Sequence, residues 1–217
     1  MKNNNILKIN EIFKSIQGES TYTGLPCIFI RLTYCNLRCT YCDTEYAFHD
    51  GQDMSIKEIL EYIEPMGIKL VEITGGEPML QKNVISLMKE LLKNNYKVML
   101  ETSGAISLKD VPKGVNKIVD FKCPSSEMSD KNLWSILDEL NLRDEIKFVV
   151  GDLNDYKWVK SKISKYNLDS KWTILLSPVF GKITLEEMAN WILQDNLKVR
   201  LQLQMHKYIW DPEKQGV

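Results

Sequence analysis

Short apolar segments and amphipathic segments alternate along almost the whole chain, and this alternation constrains the fold more than any other feature. Eight segments are predicted strands, because they are either continuously apolar or alternate apolar with polar residues: 6–13, 27–32, 69–74, 97–101, 117–121, 145–150, 172–176 and 199–203. Five are predicted helices, because their apolar residues recur at helical spacing: 55–63, 84–92, 130–140, 155–166 and 184–194. Strands that alternate with helices usually pair in parallel.

The alternation predicts an α/β fold in which a mostly parallel sheet, wound right-handed, carries helices on its outer face. The first strand is expected at an edge of the sheet. A complete eight-fold (β/α) barrel typically takes about 250 residues, whereas this chain has 217. An incomplete, open (β/α) barrel is therefore expected. No repeat, low-complexity tract or long linker divides the sequence, so residues 1–217 are predicted to form a single domain.

Three cysteines lie close together just after the second predicted strand. They are Cys35, Cys39 and Cys42, at the spacing Cys-x3-Cys-x2-Cys, and no fourth cysteine or histidine follows closely. A structural zinc site takes four protein ligands, and an iron–sulfur cluster usually takes four thiolates. The triplet therefore suits a [4Fe–4S] cluster with one iron open to a ligand. Half of a zinc site, a redox pair with a spare cysteine and ordinary buried residues are the alternatives.

Polar or glycine-containing segments follow several predicted strands at their carboxyl ends, where ligands bind in such folds. These segments are 74–78, 101–104, 120–126 and 177–180. Each taken alone is a turn or a helix cap. Gly75 and Gly76 would let a ligand approach the backbone, and the Glu77 carboxylate could hold an ammonium group. Cys123, in the third segment, has no spacing that makes it a cluster ligand, and by itself it is predicted to be structural.

Composition excludes several classes of protein. The 28 basic and 29 acidic residues give a net charge of −1, which argues against broad electrostatic binding to nucleic acid or to anionic membranes. The sequence contains no apolar stretch long enough for a signal peptide or a membrane span. Five cysteines, three of them crowded, do not make a disulfide framework. A cytoplasmic protein is expected.

Two motifs together resemble the radical S-adenosylmethionine (SAM) superfamily: the cysteine triplet, with the aromatic Tyr41 before its last member, and Thr-Gly-Gly-Glu-Pro at 74–78. Three further segments narrow the resemblance to the 7-carboxy-7-deazaguanine synthase family. They are Phe-Lys-Ser-Ile-Gln-Gly-Glu-Ser at 13–20, Asp-Thr at 43–44 and Gln-Met-His-Lys-Tyr-Ile-Trp at 204–210. The resemblance covers residues 12–217. Ser20 departs from it, since many relatives are expected to have glycine there.

The resemblance implies a lyase that converts 6-carboxy-5,6,7,8-tetrahydropterin to 7-carboxy-7-deazaguanine with release of ammonia, a step toward queuosine and other deazapurines. It implies a [4Fe–4S] cluster, SAM and Mg²⁺ as cofactors. The cluster would reduce SAM to a 5′-deoxyadenosyl radical, which would abstract hydrogen from C6 of the pterin. The resemblance also implies a homodimer and a flavodoxin-like or other one-electron donor.

The resemblance assigns roles to individual residues. The cluster ligands would be Cys35, Cys39 and Cys42, and Thr44 would bind Mg²⁺. Glu19 and His206 would be catalytic. The pterin would contact Ile16, Gln17, Gly18, Glu19, Arg31, Thr102, Gln204, His206 and the terminal carboxylate of Val217. SAM would face Tyr41, Cys42, Asp43, Gly75, Gly76, Glu77, Ser103, Gly104, Cys123, Pro124, Ser125, Ser177, Pro178, Val179 and Phe180.

Competing interpretations exist for the whole chain and for single residues. An activase that installs a glycyl radical in a partner protein would share the cysteine loop, but not the segments at 13–20 and 204–210. A zinc-binding module would leave the Gly-Gly-Glu-Pro segment unexplained. Arg31 could instead form a structural salt bridge, and His206 could lie at the edge of the core. The tail after Trp210 could be disordered, as termini often are.

Overall fold

The nine strands of the structure form one sheet. The structure is a computed structural model that describes residues 5–217, so the first four residues of the predicted domain lie outside it. The strands are β1 (Ile6–Ile16), β2 (Pro26–Leu32), β3 (Gln52–Ser55), β4 (Leu70–Gly75), β5 (Lys97–Thr102), β6 (Asn116–Asp120), β7 (Glu145–Val150), β8 (Thr173–Pro178) and β9 (Arg200–Leu201).

The sheet is mostly parallel and open. Its strand order is β3-β1-β2-β4-β5-β6-β7-β8-β9. Strands β2 and β4 to β9 pair in parallel, while β1 and β3 are antiparallel additions at one edge. Because β3 and β9 are the two edges and do not pair with each other, the barrel does not close. The prediction of an incomplete, open barrel is confirmed.

The helices are α1 (Ile56–Ile63), α2 (Val84–Lys93), α3 (Leu153–Tyr166), α4 (Leu185–Gln194) and α5 (His206–Ile209). Helix α1 begins at the predicted capping box, in which the Ser55 hydroxyl accepts from the Glu58 amide at 3.2 Å and the Glu58 carboxylate accepts from the Ser55 amide at 2.7 Å. Among the helices of residues 5–217, none has the length and apolar character needed to cross a membrane.

The helix predicted at 130–140 is wrong. That region forms two short 3₁₀ segments, Ser129–Lys131 and Trp134–Glu139. Asn132 lies between them, and its amide group both accepts from the Lys122 amide and donates to the Lys122 carbonyl. The Leu133 amide donates to the Gly104 carbonyl at 2.9 Å. These tertiary hydrogen bonds take up polar groups that a continuous helix would need for itself.

Three boundaries near the sheet edges also differ from the prediction. Strand β1 continues to Ile16 and is not an edge strand, because β3, which the sequence pattern did not reveal, pairs with it. The register of β1 shifts between Ile9 and Glu11, and this bulge accounts for the break in its apolar alternation. At the other edge, β9 has only two residues, and α5 follows it.

The two faces of the sheet carry different side chains, because successive residues of a strand point to opposite faces. The outer face packs against the helices and forms the main core. The inner face begins with an apolar layer formed by Cys27, Phe29, Leu70, Met99, Ile118 and Leu175. Further along the same face come ionisable residues, which we call the charged layer: Arg31, Glu72, Glu101, Asp120 and Lys147. The barrel interior is therefore apolar near the amino ends of the parallel strands and charged near their carboxyl ends.

One buried ion pair lies outside this layer and stabilises the fold. Lys117 Nζ lies 2.9 Å from Asp144 Oδ2, and their side chains are 3% and 0% exposed. We expect Lys117→Met to lower the free energy of unfolding by about 3–5 kcal/mol, because the Asp144 carboxylate is left buried without its cation. Denaturant unfolding of the variant measures this.

The matched control is Lys57→Met. Lys57 pairs with Glu61 in an exposed i,i+4 arrangement on α1. Exposed pairs of this kind contribute about 0.3–0.5 kcal/mol. A loss of stability at Lys117 no larger than that of the control would contradict the role given to the buried pair.

Candidate active site

A cavity of about 610 Å³ extends from the inner face of the sheet to the loops at the carboxyl ends of its parallel strands. The cysteine loop, the segment after β1, the strand ends and the C-terminal tail all contribute side chains to its wall. We call it the main cavity. Its position agrees with the rule that ligands bind at the carboxyl ends of strands in such folds.

The cysteine loop follows β2 and is held in place by hydrogen bonds to neighbouring strand ends. The Thr40 hydroxyl donates to the Ser125 carbonyl at 2.7 Å, just beyond β6. The Tyr41 hydroxyl donates to the Val149 carbonyl of β7 at 3.1 Å. Cys35, Cys39 and Cys42 are all partly exposed and line the main cavity. The loop therefore presents three thiols to one space.

The thiols of the cysteine loop do not form a compact site for a single metal ion. Among residues 5–217, no three side chains of His, Cys, Asp or Glu converge closely enough to hold one metal ion. Each thiolate of a [4Fe–4S] cluster binds a different iron, so its cysteines stand farther apart than the ligands of zinc. Burial raises the pKa of the Cys39 thiol to about 11, so cluster binding has to displace its proton. The three cysteines fit a [4Fe–4S] cluster.

The glycines after β4 let the cysteine loop pack closely against this strand end. A Cβ on Gly76 would lie 2.3 Å from the Tyr34 carbonyl oxygen and 2.8 Å from Cys35 Cβ. Gly75 has φ +148°, and a Cβ there would meet the Leu32 carbonyl oxygen at 2.2 Å. Both glycines line the main cavity. Side chains at these positions would push the first cysteine away from β4.

Glu77 does not line the main cavity. Its side chain is fully buried and accepts hydrogen bonds from the Thr102 hydroxyl at 2.9 Å, the Ser103 hydroxyl at 2.6 Å and the Ser103 amide at 2.8 Å. It also accepts from the Met79 amide at 3.0 Å. These contacts satisfy the carboxylate in the structure without SAM, and the contact of Glu77 with SAM stays a prediction. Glu77 joins the loop after β4 to the end of β5.

The residues predicted to face SAM fall into two groups. Those that line the main cavity are Tyr41, Cys42, Asp43, Gly75, Gly76, Ser103, Val179 and Phe180. Those outside its wall are Glu77, Gly104, Cys123, Pro124, Ser125, Ser177 and Pro178. Cys123 and Ser177 are fully buried. The Ser125 amide donates to Asp155 Oδ1 at 2.9 Å. The segments 123–125 and 177–178 therefore lie behind the residues that line the main cavity.

All nine residues predicted to bind the pterin line the main cavity, including Val217 at the chain terminus. Gln17 is nevertheless occupied by internal contacts. Its Nε2 donates to Glu72 Oε2 at 2.5 Å, and its Oε1 accepts from the Glu19 amide at 3.1 Å. These contacts hold the segment that carries Glu19, and direct recognition of the pterin by Gln17 stays a prediction.

The surroundings of Arg31 are compatible with both of its predicted roles. Its Nε donates to Glu11 Oε1 at 2.8 Å, and the Tyr46 hydroxyl donates to the same oxygen at 2.9 Å. This is the structural salt bridge that was one alternative. The guanidinium also lines the main cavity. Since the salt bridge uses only Nε, the two terminal nitrogens keep the fork geometry that suits a carboxylate.

The charged layer is organised by Lys147, which the sequence patterns did not identify. Its ammonium pairs with Glu19 and lies 2.6 Å from Glu101 Oε1 and 4.0 Å from Asp120 Oδ2. Lys122 forms a further ion pair of this region, 2.8 Å from Asp120. Burial and the neighbouring Glu101 raise the pKa of Glu72 well above its ordinary value.

The C-terminal tail is folded back over the main cavity. Its residues 212–217 line the wall. The Met205 amide donates to the Gly18 carbonyl at 3.2 Å. Lys207 Nζ lies 2.9 Å from Asp43 Oδ2, which ties α5 to the cysteine loop. Burial, with Lys207 beside it, lowers the pKa of His206, so its imidazole is neutral at pH 7.

Sequence reasoning missed the ionisable residues within the strands. Glu72 and Lys147 lie inside β4 and β7, and Glu101 and Asp120 lie near the carboxyl ends of β5 and β6. The detectable signal was an acidic residue two positions after an inward-facing apolar residue in three neighbouring strands. Such residues are rarely buried without a partner. Their recurrence on neighbouring strands predicts a shared polar site.

Comparison with known proteins agrees with the cluster-binding geometry. The family model described as "Radical SAM superfamily" matches residues 29–192. Among its relatives, the 7-carboxy-7-deazaguanine synthase of Koribacter versatilis is 45% identical over 97% of this chain and 100% of that protein.

 

A second relative and a solved structure lead to the same family. The 7-carboxy-7-deazaguanine synthase of Chlorobaculum tepidum is 43% identical over 97% of this chain and 97% of that protein. The crystal structure of QueE from Escherichia coli superposes with a TM-score of 0.76 at 27% identity, and the match covers 93% of this chain and 95% of that one. The chain therefore belongs to the radical SAM superfamily and, within it, to the 7-carboxy-7-deazaguanine synthase family. The glycyl-radical activase is not favoured.

Membership in this superfamily implies a [4Fe–4S] cluster and SAM. We expect Cys35→Ala, Cys39→Ala and Cys42→Ala each to abolish the visible absorption of the reconstituted cluster, because each removes one of three ligands. Iron analysis and absorption spectra after anaerobic reconstitution measure this.

Cys27→Ala and Cys123→Ala are the matched controls. Both cysteines are fully buried, and neither lines the main cavity. Both variants should keep the iron content of the unaltered protein. If Cys27→Ala lost iron as completely as the loop variants, the assignment of ligands would be wrong.

Proposed function

We propose that the chain converts 6-carboxy-5,6,7,8-tetrahydropterin to 7-carboxy-7-deazaguanine with release of ammonia, as a step toward queuosine and other deazapurines. The observation that carries this proposal is that one cavity is lined both by the three loop cysteines and by all nine residues predicted to bind the pterin. The names of relatives that match almost the full chain support it.

Cys35, Cys39 and Cys42 hold the cluster in this proposal. When bound, the cluster supplies an electron and SAM supplies the radical that removes hydrogen from the pterin. The protein positions these groups and excludes water. Gly75 and Gly76 let the cysteine loop pack against the end of β4, while Glu77 keeps Thr102 and Ser103 in place through the hydrogen bonds described above.

The pterin is recognised through charge-assisted hydrogen bonds. The Glu19 carboxylate accepts from the N–H donors of the aminopyrimidinone edge, and the terminal nitrogens of Arg31 donate to the substrate carboxylate. His206 enters the reaction as a neutral imidazole, so it can accept a proton at one ring nitrogen. Glu19 and His206 are the residues that we propose to be catalytic.

Thr44 is the proposed protein ligand of Mg²⁺. Its hydroxyl lines the main cavity and donates to Asp43 Oδ1 at 2.9 Å. Because that bond uses the hydroxyl proton, the lone pairs of the oxygen stay available to a cation. Mg²⁺ prefers oxygen ligands and retains several waters, so substrate oxygens and water complete its shell in this proposal.

The remaining parts of the proposal rest on the family resemblance. We propose that the chain acts as one domain, which agrees with the single sheet formed by all its strands in residues 5–217. We also propose that it forms a homodimer and receives electrons from a flavodoxin-like or other one-electron donor.

An anaerobic assay tests the function directly. The reconstituted protein is mixed with SAM, dithionite and the carboxytetrahydropterin, and the products are identified by mass spectrometry. We expect 7-carboxy-7-deazaguanine and ammonia, with slower turnover when Mg²⁺ is omitted. Cys35→Ala is the control that should yield neither product. Cleavage of SAM without any deazaguanine product would contradict the proposal.

The terminal carboxylate gives a second prediction. Residues 212–217 line the main cavity, and Gly216 has φ +71°, which lets the chain turn inward before Val217. Extending the chain beyond Val217 moves the carboxylate away from the pterin. Since a charge-assisted contact contributes about 1.5–3 kcal/mol, we expect KM to rise about ten-fold to a hundred-fold. Steady-state kinetics measure this.

The same extension placed before Met1, outside the described residues, is the control and should leave KM unchanged. Unaltered kinetics from the protein extended at its C-terminus would remove the carboxylate from the pterin site.

A further inference from the structure

Lys147 is a buried cation in the wall of the main cavity, and the proposed function does not include it. It lies within β7, and its side chain is only 5% exposed. Its ammonium pairs with Glu19 and lies 2.6 Å from Glu101 Oε1. A buried ammonium is costly unless it is paired. The position of Lys147 therefore requires both carboxylates.

The fold brings these partners together from separate elements. Lys147 lies opposite Asp120 in the pairing of β6 with β7. Glu101 belongs to β5, and Glu19 follows β1. All four residues line the main cavity. The ammonium thus connects the segment that carries Glu19 to the inner face of the sheet.

Lys147 is the counterion of two carboxylates, those of Glu19 and Glu101. Lys122 is engaged with Asp120 at 2.8 Å. Burial alone would raise the pKa of Glu101, but Lys147 outweighs it, and the pKa lies below its ordinary value. Burial raises the pKa of Glu19 even with Lys147 beside it. Without Lys147, the ionised form of Glu19 would lose its main source of stabilisation.

We propose that Lys147 is a positioning residue for pterin recognition, whose ammonium holds the Glu19 carboxylate ionised and aimed at the N–H donors of the pterin. This inference rests on the proposed function, in which Glu19 contacts the aminopyrimidinone edge. Lys147 acts through Glu19 and does not itself touch the substrate.

The inference predicts a specific dependence on pH. An ionised Glu19 is needed for binding, so affinity is present above its pKa and falls as the pH decreases through it. Removing Lys147 raises that pKa further and moves the loss of affinity to higher pH. The other ionisable groups that face this part of the cavity are Arg31, Asp43, Glu72, Glu101, Asp120, Lys122 and His206.

Binding to the resting holoenzyme tests this without turnover. The dissociation constant of 6-carboxy-5,6,7,8-tetrahydropterin is measured by anaerobic calorimetry, with SAM and Mg²⁺ present and the cluster unreduced, between about pH 6 and about pH 8.5. For Lys147→Met we expect affinity about ten-fold to a hundred-fold weaker at the acidic end, with partial recovery at the alkaline end.

Lys117→Met is the matched control, because it also removes a buried, paired lysine but lies outside the main cavity. It should follow the binding curve of the unaltered protein. An unchanged curve for Lys147→Met, or a loss that is equal at every pH, would overturn the inference. Failure of the unaltered protein to bind the pterin would instead overturn the proposed function.

A second variant keeps the test decisive if Lys147→Met does not retain its cluster. Glu19→Gln keeps the size of the side chain but cannot ionise, so its affinity should be weak and should no longer fall with decreasing pH. Persistence of the acid-dependent loss in Glu19→Gln would show that Glu19 is not the group held by Lys147.

Discussion

Parallel pairing of β2 with β4 and of the strands from β4 to β9 is the constraint on which the rest of the structure depends. It places the carboxyl ends of these strands at one rim, where the cysteine loop and the Gly75–Gly76 turn meet. It also sets which residues share the inner face, because a shift of one position would send each side chain to the other face. The apolar layer and the charged layer both follow from this register.

Buried carboxylates in this protein are stabilised in three different ways. Glu77 accepts hydrogen bonds from hydroxyl and amide groups, and Glu101 pairs with Lys147. Glu72 accepts a hydrogen bond from Gln17, and burial raises its pKa, which favours the neutral form. Each arrangement avoids an unpaired charge in a region of low dielectric. The first supports the loops beside the cluster, whereas the other two shape the part of the cavity proposed to hold the pterin.

The open side of the barrel gives the C-terminal segment its place. Because β9 is short and does not pair with β3, the chain after it passes over the main cavity and meets the segment after β1. The ion pair between Lys207 and Asp43 then joins this segment to the cysteine loop. A closed barrel would leave no such route for the tail.

The sequence by itself determined most strands, most helices, the cysteine loop and its glycine partner, because these depend on local periodicity, spacing and backbone freedom. Short motifs in the sequence also indicated many of the residues that line the main cavity. Only the tertiary structure decided that Glu77 bonds to Thr102 and Ser103, that 130–140 is not a helix and that Lys147 pairs with Glu19. Each of these outcomes depends on partners distant in the sequence, and local patterns carry no information about which buried polar groups will meet.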